Sequence, residues 1–388
     1  MKEVLFGKTL TELQELCRRL CWPEFRARQM YQAMYARGCN PFEEWTVLSR
    51  AEREYLGQNF DLACYEALKL QTAGDGTIKF LYPLAEYFSA DHASAEARRK
   101  LGLGQSELIP AVETVLIPNP KPGHKGEYTL CVSSQWGCRW ACQFCQTGEM
   151  GLKRQLSCAE ILAQLRCARL LLEGQSAKTQ TAKHVNRIVF MGMGEPLENP
   201  HLERALEILS DEGKRGGYGL SARRITVSTV GLVEYLELFF QFAKPYRLAL
   251  SVHNPLSEER SRLIPAEFVS PLEDVIRLME QRQSLGDKRR ITFEYTLIAG
   301  ENDQDYHAEA LADLALRVGA RVNLIPCHEN SAGYLGSSAA DLHRFQTWMS
   351  QRGLRCTIRK SQGEEIQAAC GMLAGSNDPA EIDPVPAI

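Results

Sequence analysis

The chain has no run of about 18 apolar residues free of charge, which excludes a membrane-crossing helix of ordinary length. Its opening stretch, Met1 to Leu10, lacks the uninterrupted apolar core of a secretory signal, so a cytoplasmic, reducing location is expected. There is no excess of positive charge: 45 Lys and Arg against 48 Asp and Glu leave a formal net charge of −3. That excludes wholesale coating by cations, but not a local cationic face able to meet phosphates. A second C-x-x-C knuckle is also missing, although 13 cysteines are present. In a chain without a secretion signal, such an odd count points to metal-binding or catalytic thiols rather than a disulfide framework. What remains is ordinary. A hydrophobic fraction of 44% and a charged fraction of 24% over 388 residues fit one large α/β domain with a smaller companion.

Residues 1–60 read as a helical accessory domain. Apolar positions recur at helical spacing from Leu10 to Leu20, PEFRARQMYQAMYARG continues the pattern to Gly38, and a third helix falls around Ser49 to Leu56. Arg18, Arg19, Arg26, Arg28 and Arg37 are interleaved here with Trp22, Tyr31 and Tyr35. The mix suits RNA, with cations for phosphate and aromatic faces for unstacked bases. A solvated helical face over an ordinary core is the equally weighted alternative. Residues 61–126 carry a β-hairpin turning at Asp75-Gly76, then a linker with an Ala-, Ser- and Arg-rich insertion at 86–110. Residues 127–374 form the core, and 375–388 read as a disordered tail.

In that core, strands are expected at Tyr128–Ser133, Arg187–Met191, Arg224–Ser228, Tyr246–Val252, Ile291–Leu297 and Arg321–Ile325, with helical patterns between them. Six βα units in sequence imply a parallel sheet, open or closed into a barrel. The distinctive residues sit just past strand ends: Gly192–Pro196, Thr229–Gly231, His253-Asn254 and Cys327-His328. Parallel α/β barrels carry their chemistry at that end.

The sharpest signal is CVSSQWGCRWACQFC, in which Cys138, Cys142 and Cys145 form C-x-x-x-C-x-x-C. Three thiolates can hold three irons of a [4Fe–4S] cube and leave the fourth open to the amino and carboxylate groups of S-adenosylmethionine. Electron-transfer clusters mostly use four cysteines, so a three-cysteine loop implies a substrate on the open iron. The alternative is zinc, with Cys131 completing a four-thiolate site. Cys17 and Cys21, four apart on a helix, read as core-facing thiols, and Cys158 and Cys167 as packing residues.

At this point the chain resembles the RlmN/Cfr family of radical SAM RNA methyltransferases over nearly its whole length. The resemblance is carried by VETVLIP (112–118), the cysteine loop, GLKR (151–154), FMGMGEP (190–196), RRITVSTVG (223–231), ALSVHNP (249–255), VNLIP (322–326) and AACGMLAG (368–375), with FRARQMYQAMYARG at the N-terminus. It implies a partial (β/α)6 barrel of the radical SAM type, a [4Fe–4S] cluster on Cys138, Cys142 and Cys145, and S-adenosylmethionine as cofactor. It further implies methylation of Cys370, transfer of that carbon to an adenine ring carbon, release by Cys131 attack on Cys370 sulfur, and Glu113 as the base. Gly194, Glu195, Ser228, Ser251, Val252 and His253 match positions that contact S-adenosylmethionine. His328 stands where the family usually has an asparagine, and Gln367 where it has an acidic residue. The expected partners are ribosomal and transfer RNA and an electron donor such as flavodoxin or ferredoxin, with the enzyme a monomer. C2 is the favoured carbon. The alternatives are a C8-methylating member of the same family, to which TGEMGLKR bears some likeness, a radical SAM enzyme acting on peptide or metabolite, and a zinc-stabilised RNA-binding protein without catalysis.

Overall fold

Short paired strands close the N-terminal helices into one unit. In the computed structural model, which describes residues 2–84, 110–179, 182–211, 216–329 and 333–373, β1 (Glu3–Val4) is followed by α1 (Leu10–Arg19), α2 (Phe25–Tyr35) and α3 (Arg50–Asn59). β2 (Phe60–Asp61) then returns to pair with β1 in parallel. α1 and α3 each start at a capping box, Thr9 with Glu12 and Ser49 with Glu52, which satisfies backbone N–H groups that a first helical turn leaves open. The interleaved aromatics are not free faces for bases: Tyr31 and Tyr35 are buried, and Trp22 packs edge-on against Tyr55. Arg26 is also committed, to Glu52 at 2.9 Å and to the Val47 carbonyl at 2.7 Å. Cys17 lies in the core as expected, whereas Cys21 is exposed. The helix stops at Arg19, so the four-residue spacing no longer places Cys21 on the face of Cys17. The expected insertion, apart from Pro110, and the expected tail lie outside the described residues.

The rest of the chain builds one sheet of ten strands. β3 (Lys69–Thr72) and β4 (Ile78–Pro83) form the hairpin at Asp75-Gly76, and β5 (Ala111–Pro118) and β6 (Glu127–Cys131) continue it antiparallel. A two-stranded flap, β7 (Gln135–Trp136) and β8 (Arg154–Gln155), frames the cysteine loop with a single turn, α4 (Gln146–Glu149). Then come α5 (Cys158–Thr179), β9 (His184–Phe190), α6 (Leu202–Ser210), β10 (Ile225–Thr229), α7 (Val233–Gln241) and β11 (Arg247–Ser251). α8 (Ser257–Leu263), α9 (Leu272–Ser284), β12 (Ile291–Leu297), α10 (Asp305–Arg317), β13 (Arg321–Pro326), α11 (Ala339–Gln351) and β14 (Cys356–Ile358) complete it. All six expected core strands are present. β14, a seventh parallel strand, was not among them.

From β6 through β9 to β14 each strand pairs in parallel with the next, and the order never reverses. A doubly wound sheet reverses and carries helices on both faces. Winding in one direction, with the right-handed crossovers such units obey, puts the helices on one face and curls the sheet into a partial barrel. Its ends, β3 and β14, do not pair among the described residues, so the barrel stays open. Alternation follows. Ile188, Phe190, Ile225, Val227, Leu248, Leu250 and Phe293 are buried in the main core, while Thr226, Ser228, Ser251, Thr292 and Asn323 between them are part-exposed on a polar inner wall.

The C-terminal ends of these strands are tied by Arg260 of α8, whose side chain is fully buried. Its guanidinium donates to the carbonyls of Val252 (3.0 Å), Ser251 (3.0 Å) and Val230 (2.8 Å), and ion-pairs with buried Glu267. Removing one partner of a buried pair leaves the other charged and dry. Arg260→Met is therefore expected to cost about 3–5 kcal/mol in denaturant unfolding. Part of that loss should return in the Arg260→Met, Glu267→Leu double variant, which leaves no orphaned charge.

Candidate active site

The mouth of the partial barrel is a cavity lined by the C-terminal ends of β9 to β13 and by the segment after β14. Of the residues expected at the site, Cys145, Gly194, Glu195, Ser228, Ser251, His253, His328 and Cys370 line it. Val252 does not. Side chains alternate along β11, so with Ser251 facing inward, Val252 packs into the core and only its backbone comes near.

Gly194 and Glu195 form a tight shelf. Gly194 has φ +99°, and a Cβ there would fall 2.4 Å from Cβ of Gln135, so both conformation and space require glycine. Gln135 in turn accepts a hydrogen bond from the Glu195 N–H at 2.7 Å. The Glu195 carboxylate accepts from the N–H groups of Val230 (2.8 Å) and Leu197 (3.1 Å). Burial still dominates and pushes its pKa up to about 7. A buried carboxylate so disposed is suited to a cationic partner such as an ammonium group.

Cys138, Cys142 and Cys145 stand on the loop that β7 and β8 frame, each within electrostatic reach of another of the three. Burial is the main force on all three thiols and raises their pKa values, that of Cys138 to about 12. The N–H groups of Gly148 and Thr147 pull Cys145 partly back, and Arg260 does so for Cys142. Soft thiols that burial holds neutral suit iron, whose positive charge would offset the thiolate charge that burial otherwise forbids. Among the described residues no group of three or more Cys, His, Asp or Glu is gathered closely enough for one metal ion.

Cys131 belongs to a different neighbourhood. It lies buried at the end of β6, its thiol raised to about 12 first by burial and then by Cys370. Arg359, just beyond β14 and missed by the sequence reading, acts electrostatically on both. Its Nη1 approaches the Cys370 sulfur at 3.7 Å, Met191 sulfur at 3.5 Å and Glu294 at 3.4 Å. Cys370 first, then Glu294 and Cys131, raise the proton affinity of Arg359 against the opposing effect of burial. Glu294 is itself held by Asn323 Nδ2 at 3.0 Å, and Asn323 accepts from Thr357 at 2.5 Å. The only sequence signal for Arg359 was the short alternation RCTIRK.

β5 is an interior strand, and the Glu113 carboxylate is buried against Lys79 of β4 at 2.7 Å. Lys79 also reaches the carbonyl of Gln367, at 3.4 Å, which links this pair to the Cys370 segment. His328 contacts Ser361 at 3.0 Å through Nε2 and Glu364 at 3.2 Å through Nδ1.

His253 sits at φ +52° with its ring against Phe144 of the cysteine loop at a centroid separation of 4.7 Å. Its Nδ1 accepts from the Thr296 N–H at 2.9 Å, and burial pushes its pKa down to about 3. Between that value and the ordinary 6.5, the unfolded chain binds a proton that the native state refuses, so stability falls as pH drops. Asn tolerates the left-handed backbone and offers Oδ1 as an acceptor. For cofactor-free protein, wild type should lose about 2–3 kcal/mol more than His253→Asn between pH 7.5 and 4.5 in denaturant unfolding. Parallel losses would contradict the depressed value.

Residues 132–311 match the family model of the radical SAM superfamily, and residues 4–62 that of the ribosomal RNA large subunit methyltransferase N-terminal domain. A Porphyromonas gingivalis protein named "Probable dual-specificity RNA methyltransferase RlmN" is 37% identical over 97% of this chain and 95% of its own length. A Bacillus cytotoxicus protein of the same name is 35% identical over 96% and 93%. The crystal structure of a radical SAM methyltransferase from Sphaerobacter thermophilus matches with a TM-score of 0.81 and 34% identity, covering 96% of this chain and 99% of that one. Radical SAM enzymes use a [4Fe–4S] cluster and S-adenosylmethionine, and these likenesses leave no place for a non-catalytic zinc module. Likeness across both the barrel and the N-terminal unit places the chain in the RlmN family of radical SAM RNA methyltransferases.

Proposed function

We propose that the enzyme methylates C2 of adenosine in RNA, with Cys370 as carrier of the new carbon, Cys131 as the thiol that releases it and Glu113 as the base. The observation that carries this reading is the electrostatic coupling of Cys131 with Cys370 and of both with Arg359, with Cys370 on the cavity wall. Cys138, Cys142 and Cys145 would hold the cluster, and Gly194, Glu195, Ser228, Ser251, His253 and His328, with the backbone of Val252, would bind S-adenosylmethionine. Adenine ring C–H carbons are electron-poor and do not attack a methyl cation equivalent, so a radical route is required. Cluster and S-adenosylmethionine together supply the methyl group and the species that abstracts hydrogen from it. The chain's own residues do the rest. The Cys370 thiolate is the nucleophile that takes up the methyl group. After its carbon has joined the ring, Glu113 accepts the ring proton and the unpaired electron left on the adduct departs, for which the cluster that Cys138, Cys142 and Cys145 would hold is the available one-electron acceptor. Cys131 then attacks Cys370 sulfur, forming a disulfide, and the freed carbon takes a proton to become the methyl group. The Arg359 guanidinium, 3.7 Å from the Cys370 sulfur, opposes the burial that raises the Cys131 thiol.

The relatives' designation as dual-specificity supports more than one RNA substrate, here 23S ribosomal RNA and transfer RNA. A small one-electron donor such as flavodoxin or ferredoxin would reduce the cluster, and the protein would act as a monomer.

Substituting Ala for Cys138, Cys142 or Cys145 should abolish iron binding and cleavage of S-adenosylmethionine; near-normal iron in any one variant counts against its role as a ligand. Cys131→Ala should trap a covalent protein–RNA adduct, visible as a retarded band on denaturing gels and placed at Cys370 by mass spectrometry. Cys370→Ala should form none. Normal turnover by Cys131→Ala would sink the releasing role. Mass analysis of nucleosides from treated RNA should give 2-methyladenosine, and 8-methyladenosine would replace the C2 assignment with the C8 alternative.

A further inference from the structure

Five arginines recur at one place in the barrel. Arg187, Arg247, Arg290, Arg321 and Arg355 stand at or just before the starts of β11 to β14 and within β9. Each lies four residues ahead of a residue that lines the cavity: Met191, Ser251, Glu294, Ile325 and Arg359. Side chains alternate along a strand, so an offset of four returns to the same face, about 13 Å further along the wall. Register brings the arginines together. Leu248 opposite Ile291 sets Arg247 beside Arg290, Thr292 opposite Arg321 continues the row, and Val322 opposite Cys356 sets Arg321 beside Arg355.

The cluster is not neutralised. Among the described residues none of the five forms an ion pair with a carboxylate. Elsewhere the protein pairs arginines freely, as Arg317 with Glu273 and Glu280, or Arg352 with Glu309 and Asp313. After burial, the influences that lower the proton affinity of Arg247 are Arg290, Arg187 and Arg321; for Arg321 they are Arg290 and Arg355. Arg187, Arg290 and Arg355 are exposed, and Arg247 and Arg321 half-buried, so the group is open to a ligand. Five unpaired like charges in a chain of net charge −3 are a segregated positive field that disfavours the fold and calls for an anionic partner. Between the arginines and the cavity the inner wall carries polar Thr292, Asn323 and Thr357 on β12 to β14, and the small apolar Val189 and Ala249 on β9 and β11.

We infer that Arg187, Arg247, Arg290, Arg321 and Arg355 form a phosphate-binding track for the sugar–phosphate strand next to the target nucleoside. This rests on the assignment of RNA as the substrate. Guanidinium forks are matched to phosphate, and repeated forks along one wall fit a repeating polyanion better than a single small ion. The track would hold the backbone while the base occupies the mouth, contributing affinity and orientation without reading sequence.

The experiment is an anisotropy titration of a labelled stem-loop RNA with an unpaired loop adenosine, against holoenzyme without S-adenosylmethionine or reductant. Arg290→Glu with Arg355→Glu should weaken binding about tenfold or more at 0.1 M salt and flatten the slope of log K against log salt by about 1 or more. The melting temperature should not fall, because like charges have been separated, and the cluster absorbance should persist. Unchanged affinity and slope overturn the track. Should the reversed variant fold poorly, the Lys and Gln double variants decide: binding kept by Lys and lost by Gln supports the track, and equal binding overturns it. A wild type that binds RNA in this salt-dependent way yet yields no methyladenosine would refute the proposed reaction and leave the track standing. Methylation that proceeds with binding indifferent to these arginines would refute the track alone.

Discussion

The mouth of the barrel depends on one buried cation. Arg260 emerges from α8 with no access to water and uses its donors on the last carbonyls of β10 and β11, where those strands would otherwise splay. Backbone carbonyls beyond a strand's final ladder bond need partners, and a planar fork can serve several at once. Glu267 neutralises the guanidinium and in turn accepts from the N–H of Leu272, at the start of α9. The α8 helix also reaches the cysteine loop, where Gln143 donates to the Leu263 carbonyl at 3.0 Å. Strand ends, helix start and cysteine loop are thus referred to one side chain.

On this frame the protein keeps two sets of thiols apart. Cys138, Cys142 and Cys145 share a loop and feel one another; Cys131 and Cys370 come from opposite ends of the barrel sequence and both feel Arg359. Burial raises the thiol pKa of the three loop cysteines and of Cys131, but the compensating charge differs in kind. For the loop it must come mainly from bound iron, with small help from Arg260 and backbone N–H groups. For the pair it is a permanent guanidinium, braced through Glu294, Asn323 and Thr357. The same residue type therefore serves two chemistries because its electrostatic surroundings differ.

The core strands were legible because each is a block of β-branched and apolar residues bounded by glycine or polar residues, as at Phe190 before Gly192 or Ser228 before Gly231. The mouth was legible for the same reason, since the polar residues cluster past those blocks. Three features were not. β14 has three residues, too few for alternation to stand out, and Arg359 was hidden with it. The burial of Glu113 depends on Lys79, a partner on another strand that no local pattern reveals. Tyr31 and Tyr35 looked like stacking faces beside arginines, but they fill the core of the N-terminal unit, where Tyr35 bonds the Lys8 carbonyl at 2.8 Å. Residue type announced chemistry; only tertiary pairing decided which way a side chain points.

The unreversed winding also has a consequence for synthesis on the ribosome. A sheet that adds strands in chain order can be assembled as the chain emerges, each new βα unit docking on a finished edge. Cys131 is among the first core residues out, while Cys370 follows about 240 residues later, behind the short closing strand β14. At elongation rates of about 5–20 residues per second that is a delay of roughly 10–50 s, during which six strands and their helices can cover Cys131. The two sulfurs whose reaction ends the proposed cycle thereby meet only once the barrel that aligns them is built.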